Sequence, residues 1–335
     1  MELLYIARRL IYAIVSLFGV SVAAFVILRL IPGDPALLMV GPTASEADIE
    51  AMREYLGLTK SIPEQYRVWL STILRGDLGT SLRFSGNVVD LVVDRLPATL
   101  ELALAGVALA CLIALVIAVM SVLKKGTFLE AIGTFVGLIG FGIPSFLWAL
   151  IFIVVFGAIA RVLPVSGRID SGIGVARVTG FLLIDTLLAR DLHAFASVVK
   201  HIVLPAFALA LPLAAMLMRT LKSSLLDVMG EDYIFTDRMK GLSETYIVCV
   251  RALKNALIPT LTILGVQFTF LVSGSIVIEK IFSWPGLGLL ALTGIQYRDF
   301  PLVQGLIVVY ALILIVTNLA VDLLYGYLNP KIRYA

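Results

Sequence analysis

The chain has 335 residues, of which 60% are hydrophobic and only 15% charged, and its mean hydropathy is +1.02. A soluble domain has roughly 45 to 50% apolar and about 25% charged residues, so this composition excludes a soluble globular protein and indicates an integral membrane protein. The net charge of +3 gives no reason to expect nucleic acid as a partner, and two cysteines, Cys111 and Cys249, are too few for a disulfide framework.

Long apolar runs, taken in chain order, predict an all-α fold with six transmembrane helices. A helix rises about 1.5 Å per residue, so about 20 apolar residues cross a hydrocarbon core of about 30 Å. The first run follows Arg8 and Arg9 and exceeds the apolar core of a signal peptide, about 7 to 15 residues, so we expect a retained helix. The predicted spans cover residues 10–28, 98–123, 131–160, 202–218, 257–278 and 302–324.

Two polar segments predict sizeable extracytoplasmic loops. Residues 32–96 contain helical patterns at 46–56 and 63–74, which fit either a cap folded on the membrane surface or a docking surface for another protein. Residues 161–200 carry the amphipathic stretch TGFLLIDTLLARDLHAF, which we expect to lie at the membrane interface. Between the last two spans, Trp284 in IEKIFSWPGLG is expected to be an interfacial anchor.

Basic residues beside the spans predict the orientation. They cluster in short segments before the first span and after the second, fourth and sixth, as in Arg8–Arg9 and Lys124–Lys125. Lys and Arg of short loops stay on the cytoplasmic side, so six spans place both termini in the cytoplasm. The predicted organisation is a first helix in residues 1–31, an extracytoplasmic loop in 32–96 and a core in 97–335, which includes a cytoplasmic loop at 231–256.

This cytoplasmic loop holds a dense polar block, DYIFTDRMKGLSETYIVCVRALKN, between two apolar runs. It predicts a hairpin of two short helices. Asp232 is expected to cap the first helix, Gly241 to end it in the left-handed conformation, and Ser243 to cap the second, with Glu244 in its first turn.

The hairpin also carries apolar residues on a helix that faces water. An ordinary solvated loop, kept in the cytoplasm by its charges, would explain the charged residues alone. Tyr233, Ile234 and Met239 would in addition need a cover, which favours a binding surface for a partner.

Polar residues within the apolar runs are the candidates for a transport pathway, because ionisable groups are costly in a bilayer. Glu101 and Asp322 would touch a substrate, reach the interface or pair with a neighbouring helix. Gln267 and Ser273 would line a path or serve helix packing. Pro144, in GFGIPSF, interrupts the third span and is either a packing kink or a pathway element.

No catalytic or metal-binding constellation is evident in the sequence. His193 and His201 have no cysteine near them and are expected to be ordinary interfacial or hydrogen-bonded histidines. A phosphate-binding loop of the GxxxxGK[ST] type does not occur, so we expect no ATP hydrolysis by this chain.

Several segments resemble the permease subunits of binding-protein-dependent ABC importers, in particular the oligopeptide and dipeptide branch. In YIFTDRMKGLS, Gly241 stands where the family's coupling loop has its motif glycine, and the loop runs on to Pro259 in NALIPTL. RLIPGDPA and DRLPATLELAL resemble the first external loop of that branch. VIEKIFSWPGLGLLALTGIQYRDFPLVQGL and NLAVDLLYGYLNPKIR resemble its C-terminal part.

The resemblance implies a multi-pass subunit of a prokaryotic plasma membrane that works with a second permease, two ABC ATPase subunits and an external solute-binding protein. It implies that ATP and Mg are used by those partners and that this chain holds no cofactor. Peptides are the implied cargo, with nickel, glutathione and oligosaccharides left open. The residues expected to contact the ATPase are Tyr233, Thr236, Arg238, Lys240, Gly241 and Leu242.

Two other functional classes remain as alternatives. A secondary carrier would place coupling carboxylates or broken helices near the bilayer midplane, often in matching halves, but the sequence has no convincing internal repeat. A membrane enzyme is disfavoured because a nucleophile, a base and metal ligands are not found as a set.

Overall fold

The computed structural model describes residues 2–30, 35–40, 44–55 and 57–328, and the regular elements of this part of the chain are helices. The N-terminal third contains α1 (Glu2–Leu30), α2 (Pro35–Val40), α3 (Glu46–Tyr55), α4 (Ile62–Leu74) and α5 (Val88–Leu123). The middle contains α6 (Phe128–Gly142), α7 (Ser145–Phe152), α8 (Leu182–Leu188), α9 (Leu192–Val228) and α10 (Asp232–Met239). The remainder contains α11 (Glu244–Tyr246), α12 (Leu253–Gly274), α13 (Ile276–Ile281), α14 (Leu287–Gln296) and α15 (Phe300–Leu328).

Four stretches of the described chain are single helices long and apolar enough to cross a membrane: Val88–Leu123, Leu192–Val228, Glu244–Val272 and Phe300–Ala320. A fifth forms if Gly133–Gly142 and Ser145–Ile159, which meet at 105°, count as one broken span. α1 contributes a shorter apolar stretch, Ile11–Ile27. The α-helical membrane fold is therefore confirmed, while the count of six spans stays a prediction.

The helix of the second span begins at Val88 rather than near residue 98, and the fourth and fifth spans also differ from the sequence prediction. The fourth span is the central part of α9, which has 37 residues and includes Pro205 and Pro212. The fifth span begins at Glu244 rather than near residue 257, because α11 continues through the π-helical segment Ile247–Ala252 into α12. Hydropathy marks only the apolar part of a helix, and these helices continue through polar residues.

One structural unit comprises the described residues of 1–96 and 289–316. The two predicted loop helices form as α3 and α4. In α4, Tyr66 and Trp69 pack their rings against Phe25 of α1, with centroids 5.2 and 5.4 Å away. Asp299 is fully buried and accepts the hydroxyl of Ser81 at 2.5 Å, so α4 and the chain after it are tied into this unit by specific contacts.

The other unit comprises the described residues of 97–288 and 317–335, and α9 is at its centre. α9 packs against α6, α7, α8 and α12. Glycines allow the closest of these approaches: Gly137 lies against Met218, and Gly140 lies against Leu211 and Ala215. Small residues are the usual means of bringing membrane helices together, since no hydrophobic force acts between helices in lipid.

A buried polar cluster, formed by Thr99, Ser275, Glu279 and Trp284, joins α5 to α13 and the turn behind it. Glu279 is fully buried, and its Oε1 accepts the hydroxyls of Thr99 at 2.8 Å and Ser275 at 3.1 Å. A Cβ on Gly286 would stand 2.5 Å from this carboxylate, so only glycine allows the turn to close over it. We call these residues the Glu279 cluster.

The prediction that Trp284 is an interfacial anchor is wrong. Its side chain is fully buried, and its indole N–H donates to the carbonyl of Ala98 at 2.8 Å. A tryptophan whose N–H finds a partner inside the protein has no need of the membrane interface.

Candidate functional site

The candidate site is the hairpin, residues 231–256, and it begins at α10. Glu231 is the N-cap residue, in an extended conformation, and Asp232 is the first helical residue. The prediction that Asp232 caps this helix is therefore wrong by one position, and no side chain caps it. Asp232 still lies in the first turn, where a carboxylate favours the positive end of the helix.

The end of α10 confirms the predicted role of Gly241. Its φ is +76°, its N–H donates to the carbonyl of Arg238 at 3.0 Å, and the N–H of Leu242 donates to that of Asp237 at 3.3 Å. These two bonds form a Schellman motif, whose left-handed residue is normally glycine. No atom lies within 4 Å of the position of a Cβ at Gly241, so the backbone conformation, not lack of space, requires glycine.

The second helix starts at the predicted cap. The hydroxyl of Ser243 accepts the N–H of Tyr246 at 3.3 Å, and Glu244 is in the first turn. Because α11 continues into α12, only the turn between Lys240 and Ser243 separates α10 from the fifth span. α10 is therefore joined to the end of a membrane helix by a turn of only a few residues.

An ion pair closes this turn. Arg238 donates to both carboxylate oxygens of Glu244, from Nε at 2.7 Å and from Nη2 at 3.2 Å. The hydrogen bond to Glu244 raises the pKa of Arg238 above its ordinary value, although partial desolvation opposes the shift. Both side chains are exposed, so the ion pair orients the hairpin but contributes little to its stability.

Two further bonds hold α10 against the helix that follows. Arg251 donates to the buried carboxylate of Asp237 at 2.8 Å, and the amide of Asn255 donates to the hydroxyl of Tyr233 at 3.0 Å. The hairpin is consequently a folded element rather than a flexible loop.

Between residues 231 and 246 the hairpin has one buried apolar residue, the half-buried Tyr233 and four exposed apolar residues, and Val250 beyond them is exposed as well. Ile234 is fully buried, so the prediction that it needs an external cover is wrong. The exposed residues are Phe235, Met239, Leu242 and Tyr246, with Met239 at 74% and Phe235 at 64%. We call these four the apolar face of the hairpin.

A cavity of about 340 Å³ lies between the hairpin and the ends of α5 and α9. It is lined by Val122, Leu123, Lys125, Leu226, Met229, Gly230, Arg238, Glu244 and Val248. The hairpin is therefore not tightly packed against the ends of these two helices.

The six residues predicted to contact an ATPase all lie on this hairpin. Tyr233 is half-buried, whereas Thr236, Arg238, Lys240, Gly241 and Leu242 are exposed. Thr236 donates its hydroxyl to the carbonyl of Asp232 at 3.1 Å. Their role in partner contact stays a prediction.

The residues proposed for a pathway have separate environments. Glu101 is buried, and its carboxylate accepts hydrogen bonds from the guanidinium of Arg168 and from the N–H of Leu183, the latter at 2.7 Å. It therefore anchors the segment after α7. Pro144 is the N-cap residue of α7, at the 105° break. Gln267 donates its amide to the sulfur of Met216 at 2.9 Å. The side chain of Ser273, like that of Asp322, lies outside the described residues.

The sequence did not indicate the burial of Glu279 or Asp237, nor that of Asp185 and Asp299. No role was predicted for Glu279, whose partner Thr99 is 180 residues away. No role was predicted for the carboxylate of Asp237 either, which accepts from Arg251. A signal for Glu279 existed in the glycines that follow it, since close backbone approach is a common reason for glycine.

Within the described residues, no group of three or more His, Cys, Asp or Glu side chains is arranged to hold a metal ion. His201 accepts or donates at Nδ1 to the carbonyl of Ser197, 2.8 Å away. Both cysteines are free thiols.

The apolar helices and the folded polar hairpin define a multi-pass α-helical membrane protein. The chain belongs to the family of binding-protein-dependent transport system inner membrane components, whose model matches residues 97–334. A companion model for the N-terminal part of such membrane components matches residues 2–103.

Curated relatives align over nearly the whole chain. The di/tripeptide transport system permease protein DppB of Pseudomonas aeruginosa is 40% identical over 331 residues, 98% of each chain. The dipeptide transport system permease protein DppB of Escherichia coli K12 is 36% identical, again over 98% of each chain. The glutathione transport system permease protein GsiC of an Escherichia coli O6:H1 strain is 34% identical over 98% of this chain and 99% of the relative.

A solved structure shares the fold. The inward-facing MetNI methionine ABC transporter contains a chain that superposes with a TM-score of 0.53 at 17% identity, covering 72% of this chain and 97% of that one. At this level of identity the likeness concerns architecture alone.

Proposed function

We propose that this chain is the membrane permease subunit of an ATP-driven importer for short peptides. The observation that carries the proposal is the apolar face of the hairpin: four exposed apolar side chains on an element that is capped, ion-paired and continuous with a membrane span. Phe235 and Met239 are four residues apart on one face of α10, and an exposed apolar patch rimmed by polar residues is typical of a protein interface. In a binding-protein-dependent transporter the partner that fits is the ATPase subunit.

The substrate class rests on the relatives. Those at 34 to 40% identity transport di- and tripeptides, dipeptides or glutathione, which is itself a tripeptide. Peptides are therefore favoured over nickel and oligosaccharides, the alternatives left open by the sequence.

The mechanism assigned to the hairpin is that of a lever. ATP and Mg act in two partner ATPase subunits, which close on binding nucleotide and carry α10 with them. Gly241 fixes the angle between α10 and α11, so this displacement turns the fifth span. Together with a second permease, the spans then alternate between access to an external solute-binding protein and access to the cytoplasm.

The orientation follows from charge. We place both termini and the hairpin in the cytoplasm, because short segments rich in Lys and Arg stay on that side. Residues 32–96 and 161–200 are then the extracytoplasmic loops, the first joined to a first transmembrane helix within residues 1–31 and the second lying within the core 97–335.

Cysteine crosslinking tests the interface. Cysteine variants at Thr236 and Phe235 should capture an ATPase subunit in native membranes, whereas one at buried Ile234 should not. The experiment is done in a background in which Cys111 and Cys249 are replaced. Absence of any ATPase adduct from the exposed positions would remove the lever model.

Reconstitution separates the importer from a secondary carrier. The full complex should take up a dipeptide only with ATP and binding protein. Gradient-driven uptake by this chain alone, without ATPase subunits, would establish the carrier instead.

A further inference from the structure

One face of α9 remains accessible although the helix is the most buried in its unit. Pro212, Met216 and Arg219 are spaced by four and three residues, so they share one face, and none of them is buried. The intervening positions from Leu213 to Ala215 and from Leu217 to Met218 are buried. This face therefore borders open space in the single chain.

Arg219 extends along this face toward the apolar part of the helix. Its guanidinium lies over the ring of Phe141 in α6, 4.9 Å from the ring centroid. α6 runs antiparallel to α9, because Glu130 pairs with Lys222 at 2.7 Å and Gly140 lies against Leu211 and Ala215. Phe141 is therefore level with the part of α9 one to two turns before Arg219, and the arginine side chain extends away from the charged end of α9.

This direction is the reverse of snorkelling. An arginine at a span end normally turns its charged head toward the headgroups, because a guanidinium in hydrocarbon is costly. Among the described residues, no carboxylate lies within ion-pair distance of Arg219, whereas its neighbour Lys222 has Glu130. A cation held by a ring and turned inward is suited to an anion that is present only part of the time.

The surroundings are those of a path. Phe141 directly precedes the break at Pro144, where α6 and α7 meet at 105°. Met216, on the same face as Arg219, contacts the amide of Gln267 on α12. Broken helices and isolated polar groups near the middle of a membrane protein are typical of substrate sites in transporters.

We propose that Arg219 binds the C-terminal carboxylate of the peptide during its passage through the permease, with Phe141 holding the guanidinium in place. The inference rests on the proposed function, since it requires a peptide pathway. A guanidinium presents two parallel N–H donors to a carboxylate, and such charge-assisted pairs are the strong hydrogen bonds of proteins.

The test measures peptide binding to the full transporter, both permeases and both ATPases, without nucleotide and without the solute-binding protein. The probes are radiolabelled dialanine and its C-terminal amide. The intact complex should bind dialanine at least about tenfold more tightly than the amide, the effect of one charge-assisted hydrogen bond. Arg219→Gln should bring dialanine to the level of the amide, and Arg219→Lys should fall between.

Lys222→Gln is the matched control, because it removes a positive charge one turn away whose partner is Glu130. It should leave the ratio of dialanine to amide binding unchanged. An intact complex that does not distinguish the two probes, including one with no measurable binding, overturns the inference.

A second measurement covers the case of a structural role. If Arg219→Gln prevents assembly of the two permeases on a sizing column while Arg219→Lys restores it, Arg219 pairs with the other permease and the inference fails. ATP-driven uptake by the unmodified complex with its binding protein is recorded in parallel. If the unmodified complex shows no ATP-driven uptake, the proposed function is refuted. A changed ratio of dialanine to amide binding in a variant concerns Arg219 alone.

Discussion

The hairpin and the Glu279 cluster both satisfy polar side chains within the same unit, but they differ in what they leave exposed. In the hairpin, Arg238 and Glu244 pair in contact with water, and the apolar face is uncovered. In the Glu279 cluster the carboxylate and Trp284 are fully buried.

The difference separates a structural role from a working one. A buried carboxylate must accept its hydrogen bonds from groups inside the protein. When it is removed, those groups are left unpaired, because water cannot reach them. An exposed ion pair can break and re-form at little cost. The Glu279 cluster is therefore suited to fixing helices permanently, and the hairpin to contacts that change during a transport cycle.

The largest expected effect is that of Glu279→Ala. The hydroxyl of Thr99 would lose its acceptor, that of Ser275 would keep only the carbonyl of Val272, and a cavity would remain, so the free energy of unfolding should fall by about 4 kcal/mol. Thermal unfolding of the purified protein in detergent measures this loss. Glu244→Ala, which removes an exposed carboxylate, is the control, and an equal loss in both variants would contradict the comparison.

Two neighbouring residues of α10, Ile234 and Phe235, test the same difference between buried and exposed side chains. Ile234→Ala should destabilise the protein by about 2.5 kcal/mol, because Ile234 is fully buried. Phe235→Ala should leave the unfolding midpoint unchanged and lower ATP-driven uptake about tenfold through lost ATPase contact. Uptake that survives Phe235→Ala intact would show that the apolar face carries no function.

Gly241→Val follows, with a backbone strain of about 1 to 2 kcal/mol from the left-handed conformation. The protein should still insert, but ATP hydrolysis should become uncoupled from peptide uptake. Gly241→Asn is the control, since Asn adopts this conformation more readily. The rates of ATP hydrolysis and of peptide uptake are measured in the same vesicles. Coupled transport by the Val variant would refute the lever.

Asp185 provides a smaller test of a buried carboxylate. Burial raises its pKa, but hydrogen bonds from Thr179, Gly180 and Val178 outweigh burial, so the pKa is lowered overall. The folded pKa lies below the unfolded value of about 3.9, so this contribution is present at neutral pH and is lost as the pH falls below about 4. Asp185→Asn should therefore cost about 1 kcal/mol at pH 7 and progressively less in acid. Unfolding curves over this pH range check it, and a pH-independent difference would exclude the carboxylate charge as the cause.

The smallest effect concerns Arg238 and Glu244. A double-mutant cycle with Ala at both positions should give a coupling energy of about 0.5 kcal/mol in stability, because both side chains are exposed. A coupling energy above about 2 kcal/mol would show that this pair stabilises the fold as the Glu279 cluster does.

Local chemistry explains which features the sequence could predict. Gly241 and Ser243 act through their own backbone neighbourhood, and both predictions are confirmed. Asp232 was misplaced by one residue, a typical uncertainty for helix ends. The break at Pro144, which was predicted as an interruption of the third span, follows from the residue at that position. The break between α12 and α13 was not predicted, since residues 257–278 were expected to form one span.

Long-range contacts explain the failures. The burial of Trp284 and Glu279 depends on residues distant in the sequence, Ala98 and Thr99, which no periodicity reveals. The true length of α9 was missed for a related reason, because hydropathy cannot tell where a helix continues into water.

The π-helical segment Ile247–Ala252 gives the fifth span a point at which its helical phase can change. A π turn holds one more residue than an α turn, and its loss rotates everything beyond it by about 100°. α10 and α11 lie before this segment, and Thr260 and Gln267 lie beyond it in α12. A change in winding at Ile247–Ala252 would present new side chains to the interior of the bundle while the cap at Ser243 stayed in place.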